Sequence, residues 1–428
     1  MKIVGIIAEY NPFHRGHEFH IRKAKELTGA DAVIVVMSGD YVQRGMPASM
    51  SKHMRAEMAL TCGADVVFEL PVCYAAGSAE YFATGAVSLL DSLGCVDALC
   101  FGSECGEMKA LQPIADILYQ EPDDYRGFLQ AHLKNGASFP AARKMALTEY
   151  YEKNNPTGQI RALLDSPNNI LGIEYLKALA CLHSHIEPLT ITRKGAGYHD
   201  QTLGNSLSSA SAIRQGLLNL DKDVKPVLDI DDILQELPEN CHNIFQENYH
   251  LCFPVFVDDF SLLLKAKLLT ETKESLTQYL DITSEIANRI QTFRNDFITF
   301  SQFCDLIKTK NMTYSRISRC LIHILLGISK CDVPGKAADS RCSYARILGF
   351  RKESSKVLSE IKKCSRIPII SKLPRIDTQK TGIDTATENI DFHMLKQTIF
   401  ASDLYESVVT DKYHTPFKNE YQKQIIRI

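Results

Sequence analysis

The sequence contains no tryptophan, and nothing about function follows from that. Other absences are informative. No apolar run approaches the roughly 20 residues that cross a bilayer, so no membrane partner is expected. The apolar start Met1 to Ile7 is followed at once by Glu9 and has no small-residue cleavage site. It is predicted to be a first strand rather than a secretory leader, and the chain is expected in the cytoplasm. There is no glycine-rich Walker loop and no HExxH helix, which sets aside P-loop and zinc-protease chemistry. No repeat or low-complexity segment occurs. The 13 cysteines form no CxxC pair; an odd number at scattered spacings fits free thiols in a reducing compartment. The local group Cys181-Leu182-His183-Ser184-His185 has no second ligand pair at finger-like spacing and is predicted to be an ordinary helix end.

What is present suggests an α/β chain. Its 428 residues suffice for two domains with their own cores. Short Ile- and Val-rich runs at Lys2 to Ala8, Ala32 to Met37, Asp65 to Leu70, Ala98 to Phe101 and Ile186 to Thr192 suit strands buried on both faces. Helical patterns lie between them at Gly16 to Leu27, Ser51 to Cys62, Ser78 to Leu93 and Met108 to Tyr119. That alternation predicts a Rossmann-like parallel sheet, with ligands at the carboxyl ends of its strands. A helical insertion is expected over about 125–182, with a helix start at Ser138-Phe139-Pro140 and a turn at Asn154 to Pro156. Past residue 220 strands become scarce, and helices are predicted at Ile286 to Phe293 and Ser315 to Leu326. A boundary is placed near Leu220 to Pro226, dividing 1–220 from a mainly helical 221–428; Thr378 to Glu388 is expected to be a polar loop.

Charge is unevenly spread. The net charge is −3, yet Lys308 to Arg375 holds sixteen Lys or Arg against four Asp or Glu. The rest of the chain is therefore acidic, and the basic segment suits a polyanion.

The chemistry centres on Asn11-Pro12-Phe13-His14-Arg15-Gly16-His17. This segment falls where the first strand turns into the first helix. Pro12 stiffens the turn, and Gly16 leaves room for a close approach to the backbone. The helix start offers free N–H groups and a positive dipole end, a ready anion site. His14 and His17, three residues apart, can face the same anion, with His20 one turn further along. A phosphate chain fits, because nucleotidyl transfer needs positioning and charge neutralisation more than covalent help.

The segment resembles the HxGH signature of the nucleotidyltransferase superfamily, which includes cofactor adenylyltransferases and class I aminoacyl-tRNA synthetases. Asn11 stands where many cofactor adenylyltransferases carry Asp, which argues against those branches. Four further segments, Met37 to Gly45, Phe101-Gly102-Ser103-Glu104, Ser166 to Gly172 and Thr192-Arg193-Lys194, resemble bacterial tRNA(Met) cytidine acetate ligases. The likeness is dense to about residue 215 and continues through Thr313 to Ile317 and Ala345 to Phe350.

The resemblance implies an ATP-dependent ligase. It would convert ATP and acetate to acetyl-adenylate, then acetylate the wobble cytidine of elongator tRNA(Met), with Mg2+ on the phosphates and no DNA partner. It implies an ATP segment comprising Ile7, Ala8, Glu9, Tyr10, Asn11, Pro12, Phe13, His14, Arg15, Gly16, His17, Glu18, Phe19 and His20, with His14 and His17 catalytic. Gly102, Asn168 and Arg193 would contact the nucleotide. Ser208 to Arg214 is either a triphosphate-binding helix start or an ordinary N-cap. Asp40, Arg44, Lys52 and Arg55 are either substrate or tRNA contacts or a charged loop and helix start. Arg316, Arg319, Arg341, Arg346, Arg351, Lys352, Lys356, Lys362, Lys363 and Arg366 would meet tRNA phosphates. The rival readings are a small-molecule cofactor adenylyltransferase, which has no use for a basic helical half, and a non-catalytic RNA-binding protein.

Overall fold

The structure is a computed structural model and describes residues 1–155, 160–193, 209–221, 229–333, 341–374 and 390–428. Pro156, Lys194, Ser208, most of the expected boundary and the 378–388 loop lie outside these residues. Ten strands occur among them: Ile3–Ala8 (β1), Ala32–Ser38 (β2), Tyr41–Val42 (β3), Met46–Pro47 (β4), Val66–Leu70 (β5), Ala98–Ser103 (β6), Glu187–Thr192 (β7), Ala345–Phe350 (β8), Ile369–Ile370 (β9) and Ile426–Arg427 (β10). Five parallel strands in the order β5-β2-β1-β6-β7 form the centre of the main sheet. All seven residues of β2 are buried, as a strand covered on both faces requires. Gly5 gives β1 its close approach to the helix Ala79–Ser92: a Cβ there would lie 2.9 Å from a Leu90 methyl.

The order reverses at β1, where the chain crosses to β2 on one side and to β6 on the other. A sheet of this kind opens its ligand crevice at that reversal, beyond the carboxyl ends of the strands. The helix after β1, Arg15–Thr28 (α1), starts there. Between β6 and β7 run the helices Met108–Gln120, Asp123–Lys134, Phe139–Asn154 and Pro167–Cys181. Cys181 ends the last of these, and among the described residues no three His, Cys, Asp or Glu gather as metal ligands.

The later half of the chain is mainly helical but does not stay apart from the sheet. β8 pairs antiparallel with β5, and β10 and β9 flank β8. The 22-residue helix Phe392–Tyr413 reaches back as well: Tyr405 Oη donates to the Ala48 carbonyl at 2.9 Å, and Thr398 Oγ1 accepts from Val72 N at 3.2 Å. No helix among the described residues is long and apolar enough to cross a membrane.

A buried charge network joins the two halves. Lys52 Nζ lies 2.6 Å from Glu69, 2.7 Å from Glu420 and 2.7 Å from Ser402 Oγ, with Asp40 at 3.8 Å. Arg346 spans the same two glutamates at 2.9 and 2.6 Å. Arg55, also buried, donates to the carbonyls of Met50, Glu9, Ser38 and Gly39. It thereby ties together the carboxyl ends of β1 and β2, where carbonyl dipoles favour a cation. Lys52, Arg55 and Asp40 are thus structural rather than substrate contacts, and Arg346 does not face a tRNA phosphate. Nothing in the linear sequence marked partners as far away as Glu420 is from Lys52.

Burial raises the Glu420 carboxyl, but Lys52 and Arg346 outweigh it and hold it well below the usual range. A depressed carboxylate stabilises the fold at neutral pH, and that contribution is lost as pH falls below about 4. Lys52→Met leaves two buried carboxylates facing one arginine. The expected loss is about 3–5 kcal/mol, read as a lower denaturation midpoint at pH 7 that narrows toward wild type in acid.

Candidate active site

β1 ends at Ala8, and the chain turns through Glu9 and Tyr10, the latter held at φ +51. A bulky residue in the left-handed region persists only where packing fixes it. Tyr10 meets the Phe13 and His17 rings edge-on, each with centroids 4.8 Å apart.

His14 is the N-cap of α1. Its backbone is extended, and its Nδ1 accepts from Gly16 N at 3.0 Å. His17 answers it, with Nδ1 accepting from His14 N at 3.3 Å. Imidazoles thus fill the role that Ser and Glu usually fill in a capping box. An Nδ1 that accepts must carry the lone pair, so the proton of each neutral ring sits on Nε2. The rings lie 3.8 Å apart, a spacing that suits neutral partners. Burial, then Arg193 and Arg214, pushes His14 down to about 3. Burial, then His14 and Arg193, holds His17 well below its usual value. Burial and Arg193 bring His20 to about 4, against a hydrogen bond with the Cys100 backbone. Nε2 of His14 and of His20 is buried without a partner. Gly16 serves His14 first: a Cβ would sit 2.7 Å from the His14 Cε1.

Across the cleft, Arg193 follows β7 and its backbone N–H donates to the Ser103 carbonyl at 3.0 Å. Its side chain crosses Gly102, where a Cβ would lie 3.1 Å from the Arg193 Cγ. Arg193 Nη1 reaches Asn168 Oδ1 at 3.4 Å, while Asn168 Nδ2 donates to Glu104 at 2.7 Å. The Glu104 carboxylate also accepts from Asn168 N and Asn169 N, which begin the helix Pro167–Cys181. Glu104 therefore sets both Asn168 and Arg193. The sequence showed it only as the last residue of a motif.

The third wall is the start of the helix Ala210–Asp221. Ser209 Oγ accepts from Ala212 N at 3.2 Å, so the N-cap reading holds, and Ser209, Ser211 and Arg214 also line the cleft. Arg214 donates to the Asn11 carbonyl at 2.6 Å and to Ser211 Oγ at 3.0 Å. Burial lowers it to about 10, which leaves it cationic at neutral pH.

The cleft is a cavity of about 170 Å3 that is partly open to solvent. Ile7, Ala8, Glu9, Tyr10, Asn11, His14, His17, His20, Gly102, Asn168 and Arg193 all line it. Gln43 and Arg44 join them, together with an apolar wall of Phe82, Phe101, Leu171 and Tyr175 that sequence reading missed. Pro12, Phe13, Arg15, Gly16, Glu18 and Phe19 do not line it. Phe13 is buried in the core; Arg15 bonds the carbonyls of Glu236 and Leu237. Glu18 borders a separate cleft beside Cys62, and Phe19 lies under the Arg22 guanidinium. On a helix only one face can meet a ligand, which is why a contiguous motif splits in this way.

His14→Asn tests the double duty of the ring, because Asn is also a good N-cap but lacks Nε2. Its melting temperature at pH 7 is expected close to wild type, with ATP affinity, by calorimetry, about 10–100-fold lower. The pH dependence has a definite sign. As pH falls below about 6.5 the unfolded chain protonates its histidines while the folded chain does not. Stability of the nucleotide-free protein should decline from pH 6.5 toward 4, less steeply in His14→Asn.

Comparison with known proteins identifies the family. The family model described as HIGH Nucleotidyl Transferase matches residues 1–420. The chain is 38% identical over 428 residues to the tRNA(Met) cytidine acetate ligase of Acetivibrio thermocellus, with 100% of both chains covered. It is 40% identical over 430 residues to that of Clostridium acetobutylicum, again covering 100% of both. The crystal structure of apo Thermotoga maritima TmcAL superposes with a TM-score of 0.90 at 31% identity over 100% of both chains. The same protein bound with alpha-thio ATP gives 0.87, also at 31% identity and full coverage of both. The chain belongs to the HIGH nucleotidyltransferase family and, within it, to the tRNA(Met) cytidine acetate ligases.

Proposed function

We propose that the protein joins ATP and acetate into acetyl-adenylate, with loss of pyrophosphate. The acetyl group then passes to the exocyclic amine of the wobble cytidine of elongator tRNA(Met), giving N4-acetylcytidine. The observation that carries this reading is the pair of neutral imidazoles whose Nε2–H groups are left for a ligand at the reversal point of the sheet. Acetate is already an anion at neutral pH and attacks the α-phosphorus without a base. His14 and His17 donate to phosphate oxygens, and Arg193 and Arg214 offset the charge that develops as pyrophosphate leaves. Catalysis of this kind asks no covalent step of the protein.

Magnesium would arrive with the triphosphate and offset its charge. Glu9 is the one carboxylate among the described residues lining the cleft, so those residues form no cage for the ion. A tRNA substrate places the reaction in the cytoplasm.

The basic segment supports the tRNA part after subtraction. Arg346 is buried, Arg319 is engaged by Asp281 at 3.4 Å, and Arg366 is bonded to Asp91. The helix Ser355–Cys364 buries Val357 and Ile361 and turns Lys356, Lys362 and Lys363 to solvent, with Arg341 and Lys352 also exposed. These are the groups free to meet phosphates.

Labelled pyrophosphate should exchange into ATP only when acetate is present, and exchange should fall about 100- to 1000-fold in His17→Ala. Exchange indifferent to acetate would reject the acetate reading. Changing Lys356, Lys362 and Lys363 together to Ala should weaken tRNA binding. Its dependence on the logarithm of salt concentration should flatten by about 0.7–0.9 for each tRNA phosphate left without its lysine. Acetate-dependent exchange should be unchanged in that variant.

A further inference from the structure

Acetyl transfer to an amine has a proton to dispose of. The nitrogen lone pair attacks the acyl carbon, the C–N bond forms, and the C–O bond to AMP breaks. One N–H proton must leave for neutral amide to result, and something must accept it.

The two signature histidines cannot. Each commits its Nδ1 lone pair to a backbone N–H at the start of α1, that of Gly16 or of the capping His14, and presents a proton at Nε2. Tyr10 and Tyr175 are buried and held as protonated phenols, Tyr175 also by the nearby charge of Glu9. Arg44, Arg193 and Arg214 are cations. His20 is bonded to the Cys100 backbone in β6, and burial and the Arg193 charge disfavour its taking up a proton.

Among the described residues lining the cleft Glu9 remains, and it is held from two directions. Its backbone carbonyl accepts from Arg55 Nη1 at 2.6 Å, and its Oε1 accepts from Gln43 N at 3.0 Å. Gln43 and Arg44 lie in the β3–β4 hairpin, whose tip is wedged against the helix Tyr314–Leu326. Ser318 donates to the Gly45 carbonyl, and Gly45, at φ +72, has no space for a Cβ, which would fall 2.3 Å from Arg319 N. Glu9 therefore sits on the side of the cleft that joins the later, basic half of the chain. Arg44 and Arg214 lie close enough to interact electrostatically with its carboxylate.

We propose that Glu9 is the general base of the second half-reaction, accepting the proton of the cytosine exocyclic amine as it attacks the acyl-adenylate. The carboxylate also recognises that amine, since an acidic side chain accepts from cytosine N4. A carboxylate suffices as base because the attacking nitrogen is cationic, hence strongly acidic, once the C–N bond has formed. The proton goes to Glu9 and then to solvent; AMP leaves with the electron pair of the broken C–O bond.

This inference rests on the acetate-ligase reading, and the test separates the two. Glu9→Gln keeps the size of the side chain and an oxygen for Gln43 N but removes the basicity. Acetate-dependent pyrophosphate exchange and single-turnover transfer from preformed enzyme-bound acetyl-adenylate to tRNA are measured side by side. Transfer should fall at least about 100-fold, while exchange falls less than about tenfold. The wild-type transfer rate should rise with pH along a unit-slope acid limb that the variant lacks. Equal losses in both half-reactions, an unchanged acid limb, or a selective transfer defect in His20→Gln instead would overturn the assignment. Absence of exchange in the wild-type protein would instead reject the acetate-ligase reading.

Discussion

The first backbone N–H groups of a helix have no carbonyl partners and must find acceptors. At the start of α1 the Gly16 N–H finds the Nδ1 of His14, and the N–H of the capping residue His14 finds the Nδ1 of His17; the chemistry of the cleft follows from that choice. A ring that accepts at Nδ1 and stays neutral has its proton at Nε2. Burial and two nearby guanidiniums keep the rings neutral without nucleotide. The same contacts that begin the helix therefore preset two donors for an incoming anion. Gly16 belongs to this arrangement because any side chain there would displace the His14 ring. Little reorganisation is left for the moment of reaction, which is what electrostatic catalysis requires.

The arrangement needs a rigid base, and the buried charges supply it. Arg55 gathers the carbonyls at the ends of β1 and β2. Lys52, Glu69, Arg346 and Glu420 bind the sheet to a strand and a tail from the far end of the chain. Such a network is a poor source of net stability, since its desolvation is costly. Its value here is register: it fixes β8 and the C-terminal segment against the strand ends that carry Glu9 and His14. The hairpin pinned between Glu9 and the helix Tyr314–Leu326 serves the same end from the other side.

Much of this was legible in the sequence. Short Ile- and Val-rich runs marked the five parallel strands because strands buried on both faces exclude most polar residues. The spacing of His14, Gly16 and His17 after the first strand marked the anion site, since helix geometry puts positions three apart on one face. What stayed hidden depended on distant partners. Arg346 and Lys352 look alike in a basic segment, yet one is locked between two glutamates and the other is exposed. Ala345–Phe350 lies among helical patterns, and its pairing partner lies some 280 residues earlier. Glu104 acts through Asn168 and Arg193 rather than at the cleft itself, so no local pattern gave it away.

The tautomers of the two rings decide the chemistry of the cleft, and they can be observed directly. Long-range 1H–15N correlation spectra of the imidazole nitrogens should be recorded on the nucleotide-free protein at pH 7, with His14→Asn and His17→Asn for assignment. Both rings should be neutral, with the proton on Nε2 and a bare Nδ1. A proton on Nδ1 of either ring, or protons on both nitrogens, would contradict the capping arrangement and the pair of donors derived from it.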